Sequence, residues 1–169
     1  VRALVDAIPA SEKWDPDRIA ERHAEWVAPY EAAADSGEFP VRPERMVAGA
    51  AAVLDDGAVV VSDPGTPCPY FAALYPFTEP GRHWVTPRAH GGLGYAIPGV
   101  VGAHYARPDA QVVGFTGDGS FGMSAGELET LARLDLPVTL VVVNNDSFSW
   151  IEAGQRSYDD FSFGVAFDD

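Results

Sequence analysis

Cysteine and lysine are nearly missing from this chain. Cys68 is the single cysteine in 169 residues; that excludes an internal disulfide framework and leads us to expect a cytoplasmic protein. Lys13 is the single lysine beside ten arginines, and 25 acidic residues bring the formal net charge to −14. So acidic a surface argues against nucleic acid or an anionic membrane as a partner. Acidity with almost no lysine resembles the proteins of salt-loving microbes, whose internal salt screens self-repulsion. No apolar run is long enough to cross a bilayer, and the first residues lack the charged, apolar and small order of a secretory signal. Repeats and low-complexity stretches are also missing.

What is present reads as one α/β unit. The composition is 47% hydrophobic and punctuated by 17 glycines and 14 prolines, as in a globular domain. Asp15-Pro16 supplies a cap and a first-turn proline for a helix reaching about Ala34, with Ile19, Trp26, Val27 and Tyr30 on one face. Ser36-Gly37 ends it, and Pro40 and Pro43 precede a second helix over residues 44–54. A strand is predicted at 58–61. The runs at 111–116 (QVVGFT) and 138–143 (VTLVVV) are continuous and apolar, the mark of parallel strands covered on both faces. Arg107-Pro108-Asp109 is a surface turn feeding the first of these. One helix is predicted between them, with Ser124 and Glu127 as a capping box and Leu128, Leu131 and Leu134 at core spacing. The expected architecture is a mainly parallel sheet with helices on both faces, its strands at 111–116 and 138–143 parallel and adjacent.

That geometry gives meaning to Gly117-Asp118-Gly119 and Asn144-Asn145. Each motif lies just past the carboxyl end of its strand, so Asp118 and Asn145 face one crevice, at the edge where open α/β sheets bind ligands. A carboxylate and an amide oxygen are hard ligands, suited to Mg²⁺ or Ca²⁺. Mg²⁺ completes its shell with phosphate oxygens and water, and Gly117, Gly119 and Gly122 leave backbone N–H groups open near a helix start. The local chemistry is that of a metal-bridged diphosphate. Two other readings stand beside it. Gly117-x-Gly119-x-x-Gly122 also fits a dinucleotide (NAD or FAD) fingerprint, which would want an acid ending the next strand and not one inside the turn. A purely structural glycine turn is the other.

The segment GDGSFGMSAGELETLARLDLPVTLVVVNND resembles the thiamine diphosphate (ThDP) signature of the acetolactate synthase and pyruvate decarboxylase superfamily. The resemblance implies that Asp118, Asn145 and the Ser147 carbonyl bind the metal, and that Gly119 and Ser120 meet the diphosphate. Gly117 and Phe148 join them in the implied cofactor site. Residues 87–103 (PRAHGGLGYAIPGVVGA) are similar to the stretch that bends the cofactor: Leu93 would be the apolar wedge, and Gly91, beside Gly92, the acceptor for the aminopyrimidine. Acetolactate synthases typically carry Met at the wedge; Leu is more typical of other decarboxylases and lyases. Leu93 packing beneath the following helix is the simpler alternative. In the segment at 62–68, Gly65 and Thr66 remain candidate cofactor contacts, while Pro67 replaces a side chain that holds the diphosphate in acetolactate synthases.

By the same resemblance Trp150 and Ile151 begin a helix that shapes the substrate pocket, and His90, beside Gly91, is a tentative pocket residue. Glu127, Glu129 and Glu152 read as cap or solvated helix face, and Cys68 as a packed thiol. The implied activity is decarboxylation or carboligation of 2-oxo acids. It requires a glutamate from a separate pyrimidine-binding domain, on the same enzyme or a partner subunit, and nothing in this chain matches that glutamate. Residues 1–40 would be a helical connector from a preceding domain and 41–169 the ThDP domain, apparently cut short at its C-terminus. A homodimer or tetramer is the expected assembly. Alone, the chain is expected to bind ThDP weakly and to catalyse nothing; a non-catalytic ThDP or dinucleotide module is the alternative.

Overall fold

Alternation along β1 (Val59–Ser62) creates two cores. Val60 points to one side, among Val47, Phe71, Val113 and Phe115. Val59 and Val61 point to the other, with Val100 and Val112. Successive side chains of a strand take opposite faces, so a strand buried at every position needs a helix layer on each side. Helices α2 (Pro43–Val53) and α3 (Pro67–Leu74) cover the first face. Helix α4 (Ala96–Ala106) and α6 (Leu128–Arg133) cover the second. The structure, a computed structural model, describes residues 15–167. The first part of the expected connector, Lys13 and the last two residues lie outside that range.

The sheet has four strands in the order β2-β1-β3-β4, with β2 at Trp84–Val85, β3 at Val112–Gly117 and β4 at Val138–Val143. Every pairing is parallel. The chain leaves β1 towards β2 and leaves β3 towards β4. The carboxyl ends of β1 and β3 therefore flank a topological switch point, the usual place for a ligand in such sheets.

Several sequence expectations are corrected. β4 packs on both cores, through Val141 on one face and Val138 and Leu140 on the other, but among the described residues it lies at the sheet edge and its cover is partial, with Val142 42% exposed. The single helix after β3 is instead α5 (Asp118–Ser124), a 3-10 turn (Ala125–Glu127) and α6. The capping box is not made. Ser124 leaves helical geometry at φ −135°, its hydroxyl is buried without a partner, and Glu127 accepts from the Thr130 hydroxyl instead. Of the three leucines, Leu131 packs into the core, while Leu128 and Leu134 are 39% and 37% exposed. Helix α1 (Pro16–Ala34) starts as expected, with the Asp15 carboxylate accepting from Asp17 and Arg18, and it packs on α2. Its apolar face is not buried, however: Ile19 and Trp26 are half exposed. Cys68 is buried in α3, as a packed thiol should be.

Two contacts fix the layers that hold the crevice. Asp63, fully buried just past β1, accepts from the Tyr95 N–H at 2.7 Å and the Ala96 N–H at 3.4 Å. The carboxylate thus sits on the positive end of α4 and ties the loop after β1 to the loop before α4. Gly114 lets α4 and β4 close on β3, since a Cβ there would lie 2.7 Å from Leu140 Cδ2 and 2.8 Å from Val100 Cγ1. Gly114→Ala is expected to lose about 1–3 kcal/mol by overpacking. Gly102→Ala on α4, where a Cβ meets nothing within 4 Å, should gain up to about 1 kcal/mol of helix stability; chemical denaturation of the pair checks the contrast. Asp63→Ala, which strands both N–H groups, should cost about 1–3 kcal/mol. Asp63→Asn, keeping one acceptor, should recover part of that loss in the same measurement.

Candidate functional site

The four loops that leave the carboxyl ends of the strands enclose one cleft of about 280 Å³. Pro64, Gly65 and Thr66 come from the loop after β1, and Arg88, Gly91 and Leu93 from the loop after β2. Gly117, Asp118, Gly119 and Ser120 follow β3, while Val143, Asn145, Ser147, Phe148, Ser149, Trp150 and Ile151 end β4 and enter α7 (Ser149–Asp159). Sequence reasoning named most of these. It did not name Pro64, Arg88, Val143 or Ser149 as lining residues, nor the structural part taken by Asp63.

Asp118 organises one end of the cleft. Its Oδ1 accepts from the Gly119 N–H at 2.7 Å, and its Oδ2 from the N–H groups of Asn145 and Asp146 at 3.0 and 2.8 Å. One carboxylate thus joins the turn after β3 to the turn after β4. Asp146 takes the left-handed conformation, φ 56°, which aspartate tolerates, and its N–H also reaches Asn144 Oδ1 at 3.2 Å. The residues beside Ser147 are paired with the end of the chain: Phe148 N–H donates to Val165 O at 2.8 Å, and Phe167 N–H to Asp146 O at 2.9 Å. Ser147's own carbonyl is left out of that pair. The rings of Phe148 and Phe167 meet edge to face at 4.7 Å, over Gly119. A Cβ on Gly119 would overlap both rings, so glycine is required there by protein packing as well as by any ligand.

Across the cleft, the hydroxyls of Thr66 and Ser149 are 3.3 Å apart and link the β1 loop to α7. Gly91 and Gly94 adopt φ 77° and 81°, which only glycine takes without strain. Leu93, between them, is 36% exposed and faces the cleft; it is not packed beneath α4 as the simpler alternative has it. Trp150 and Ile151 also face it, 57% and 53% exposed. Two predicted residues are not brought to the cleft wall: His90 and Gly92 are exposed on the loop but are not among the lining residues. The left-handed turn at Gly91 and Gly94 carries Gly91 and Leu93 inward and leaves these two outside. Glu129 and Glu152 pair with Arg133 and Arg156 on helix surfaces, consistent with solvated faces.

The donor set fits a hard cation beside a diphosphate. Asp118, Asn145 and Ser147 offer oxygens only, and the Asn145 side chain makes no hydrogen bond among the described residues. No cluster of three His, Cys, Asp or Glu side chains exists among them, so a cation would need ligand oxygens or water to complete its shell. Gly65, Gly91 and Gly117 line the cleft where a Cβ would meet nothing within 4 Å, leaving room for a ligand against bare backbone. Among the described residues Asp118 and Arg88 are the only charged ones on the wall.

Comparison with known proteins agrees with this geometry. Residues 63–167 match the family described as "Thiamine pyrophosphate enzyme, C-terminal TPP binding domain". The chain is 32% identical to acetolactate synthase isozyme 1 large subunit of Escherichia coli over 155 residues, 92% of this chain and 26% of that protein. It is 39% identical to sulfoacetaldehyde acetyltransferase of Rhodobacter capsulatus over 121 residues, 69% of this chain and 20% of that protein. Among solved structures, the thiamine diphosphate-dependent 4-hydroxybenzoylformate decarboxylase of Rhodococcus jostii aligns with a TM-score of 0.71 at 27% identity, covering 79% of this chain and 25% of that one. The chain thus spans between 20% and 26% of the length of these relatives. No helix among the described residues is long and apolar enough to cross a membrane. The crevice between Asp118 and Asn145, the bare glycines facing it and the match over 63–167 lead to one assignment: this chain belongs to the thiamine pyrophosphate enzymes, as their C-terminal TPP-binding domain.

Proposed function

We propose that the cleft holds ThDP through Mg²⁺, with Asp118, Asn145 and the Ser147 carbonyl as the protein's metal ligands, in an acetolactate synthase-like enzyme acting on 2-oxo acids. The observation that carries this reading is the Asp118 carboxylate, which draws the turn of Asn145 onto the end of β3 and so collects the oxygen donors at one end of the cleft. When bound, ThDP supplies a carbon nucleophile and an electron sink for a carbonyl substrate. The chain's own residues do the rest. Gly117, Gly119 and Ser120 present the start of α5 to the diphosphate, and Thr66 offers a hydroxyl from the opposite wall. Leu93 would give the cofactor an apolar surface to rest against, and Gly91 would offer it a backbone carbonyl from the same loop. Trp150 and Ile151 exclude water on the side where substrate enters.

Among the described residues Asp118 is the one carboxylate on the cleft wall, and backbone N–H groups already engage it. By resemblance to the family, the group that activates the pyrimidine would come from a separate pyrimidine-binding domain, on the same enzyme or on a partner subunit of a homo-oligomer. Turnover of pyruvate by the 169-residue chain alone is expected to be undetectable, and measurable product in a coupled assay would refute the need for that second domain.

Calorimetric titration of the whole enzyme with ThDP, with and without Mg²⁺, tests the cofactor reading. Binding should require the metal, and Asn145→Ala should weaken it by at least about tenfold, as loss of a ligand does. Asn145 is the cleaner position, because Asp118→Ala would also release the N–H groups that shape the site. ThDP binding indifferent to Mg²⁺ and to Asn145→Ala would sink the assignment.

A further inference from the structure

The ThDP cleft does not end at Trp150. A second cavity of about 460 Å³ adjoins it, walled by Cys68, Pro69 and Ala72 of α3 and by Trp84 of β2. The two cavities share Pro64, Arg88 and Trp150. None of the oxygen donors at the metal end, Asp118, Asn145 or Ser147, touches the second cavity, whereas Arg88 lines both.

Among the described residues Arg88 is the only charged residue on the second cavity and the only cation on the first. In a chain of net charge −14, no carboxylate among the described residues pairs with it. Its guanidinium makes one hydrogen bond, to the Pro64 carbonyl at 3.3 Å, which steers it along the wall and leaves most of its donors open. A guanidinium fork with free donors suits a planar or tetrahedral oxyanion, and Trp84 and Trp150 line the same cavity.

We infer that Arg88 determines specificity: it recognises a second anionic group, a carboxylate or a sulfonate, at the far end of the substrate, and the cavity behind Trp150 is the subsite for that end. The inference rests on the reading that carbonyl chemistry takes place in the adjoining cleft. It adds a substrate class to it, acids or aldehydes carrying a terminal anion beyond the reacting carbon. The diphosphate is a poorer partner for this cation, because its place is at the metal end.

The test uses the whole enzyme, with and without ThDP and Mg²⁺, titrated with propionate, succinate and 3-sulfopropionate and read by ligand-observed NMR. These unreactive probes differ only in the second group. At least one of the two dianions should bind about tenfold more tightly than propionate, and the preferred one tells carboxylate from sulfonate. Arg88→Gln should abolish that advantage while the affinities for propionate and ThDP stay within about twofold. Arg88→Lys, a charge without the fork, should keep only part of it. A wild-type protein with no preference for either dianion would overturn the inference, as would a preference that survives Arg88→Gln. Loss of ThDP affinity in Arg88→Gln would instead assign the cation to the diphosphate and overturn it too. If the wild type failed to bind ThDP yet kept an Arg88-dependent preference for a dianion, the subsite would stand and the cofactor reading would fall.

Discussion

The carboxylate of Asp118 works on both sides of the strand pair that bears it. One oxygen accepts from the neighbouring Gly119 N–H at the start of α5, and the other gathers the N–H groups of Asn145 and Asp146 from the end of β4. Charge-assisted bonds of this type are shorter and stronger than neutral ones. They hold the residues that follow β4 against the start of α5, and the antiparallel contact of Phe148 with Val165 continues from there. A cation placed at this point would meet an acceptor whose position backbone bonds have already set. The protein prepares the site before any ligand arrives, which keeps the ordering cost of binding low.

The same economy of placement runs through the body of the domain. β1 and β3 divide their side chains between two apolar cores, so their ends cannot shift without disturbing both helix layers. Asp63, buried at the end of β1, anchors the N-terminus of α4 and thereby the turn that carries Gly91 and Leu93. Loops bear the functional groups, but each loop is tied at its base to an element held by a core.

Much of this was legible in the residues. Strands bounded by β-branched runs and parallel by connection followed from periodicity, and the crevice followed from their adjacency, because Gly117-Asp118-Gly119 and Asn144-Asn145 end neighbouring strands. What escaped was set by tertiary contacts that one-dimensional patterns do not encode. VTLVVV reads the same whether a strand lies inside a sheet or at its edge, and β4 lies at the edge. The Ser124 and Glu127 spacing is that of a cap, yet the chain breaks the helix at Ser124, packs it against Gly94 and gives Glu127 to Thr130. Arg88 has no local signal, since only the folded loop places it between two cavities. His90 sits two residues further along the same loop and faces elsewhere.

The edge-to-face contact of Phe148 with Phe167, seated over Gly119, joins the start of α7 to residues near the far end of the chain. Docking of Phe167 and the shape of the cleft wall at Phe148 are consequently coupled. A ligand that favours the seated rings would favour the docked segment by the same free energy, because Phe167 bears on two residues of the cleft wall, Phe148 and Gly119.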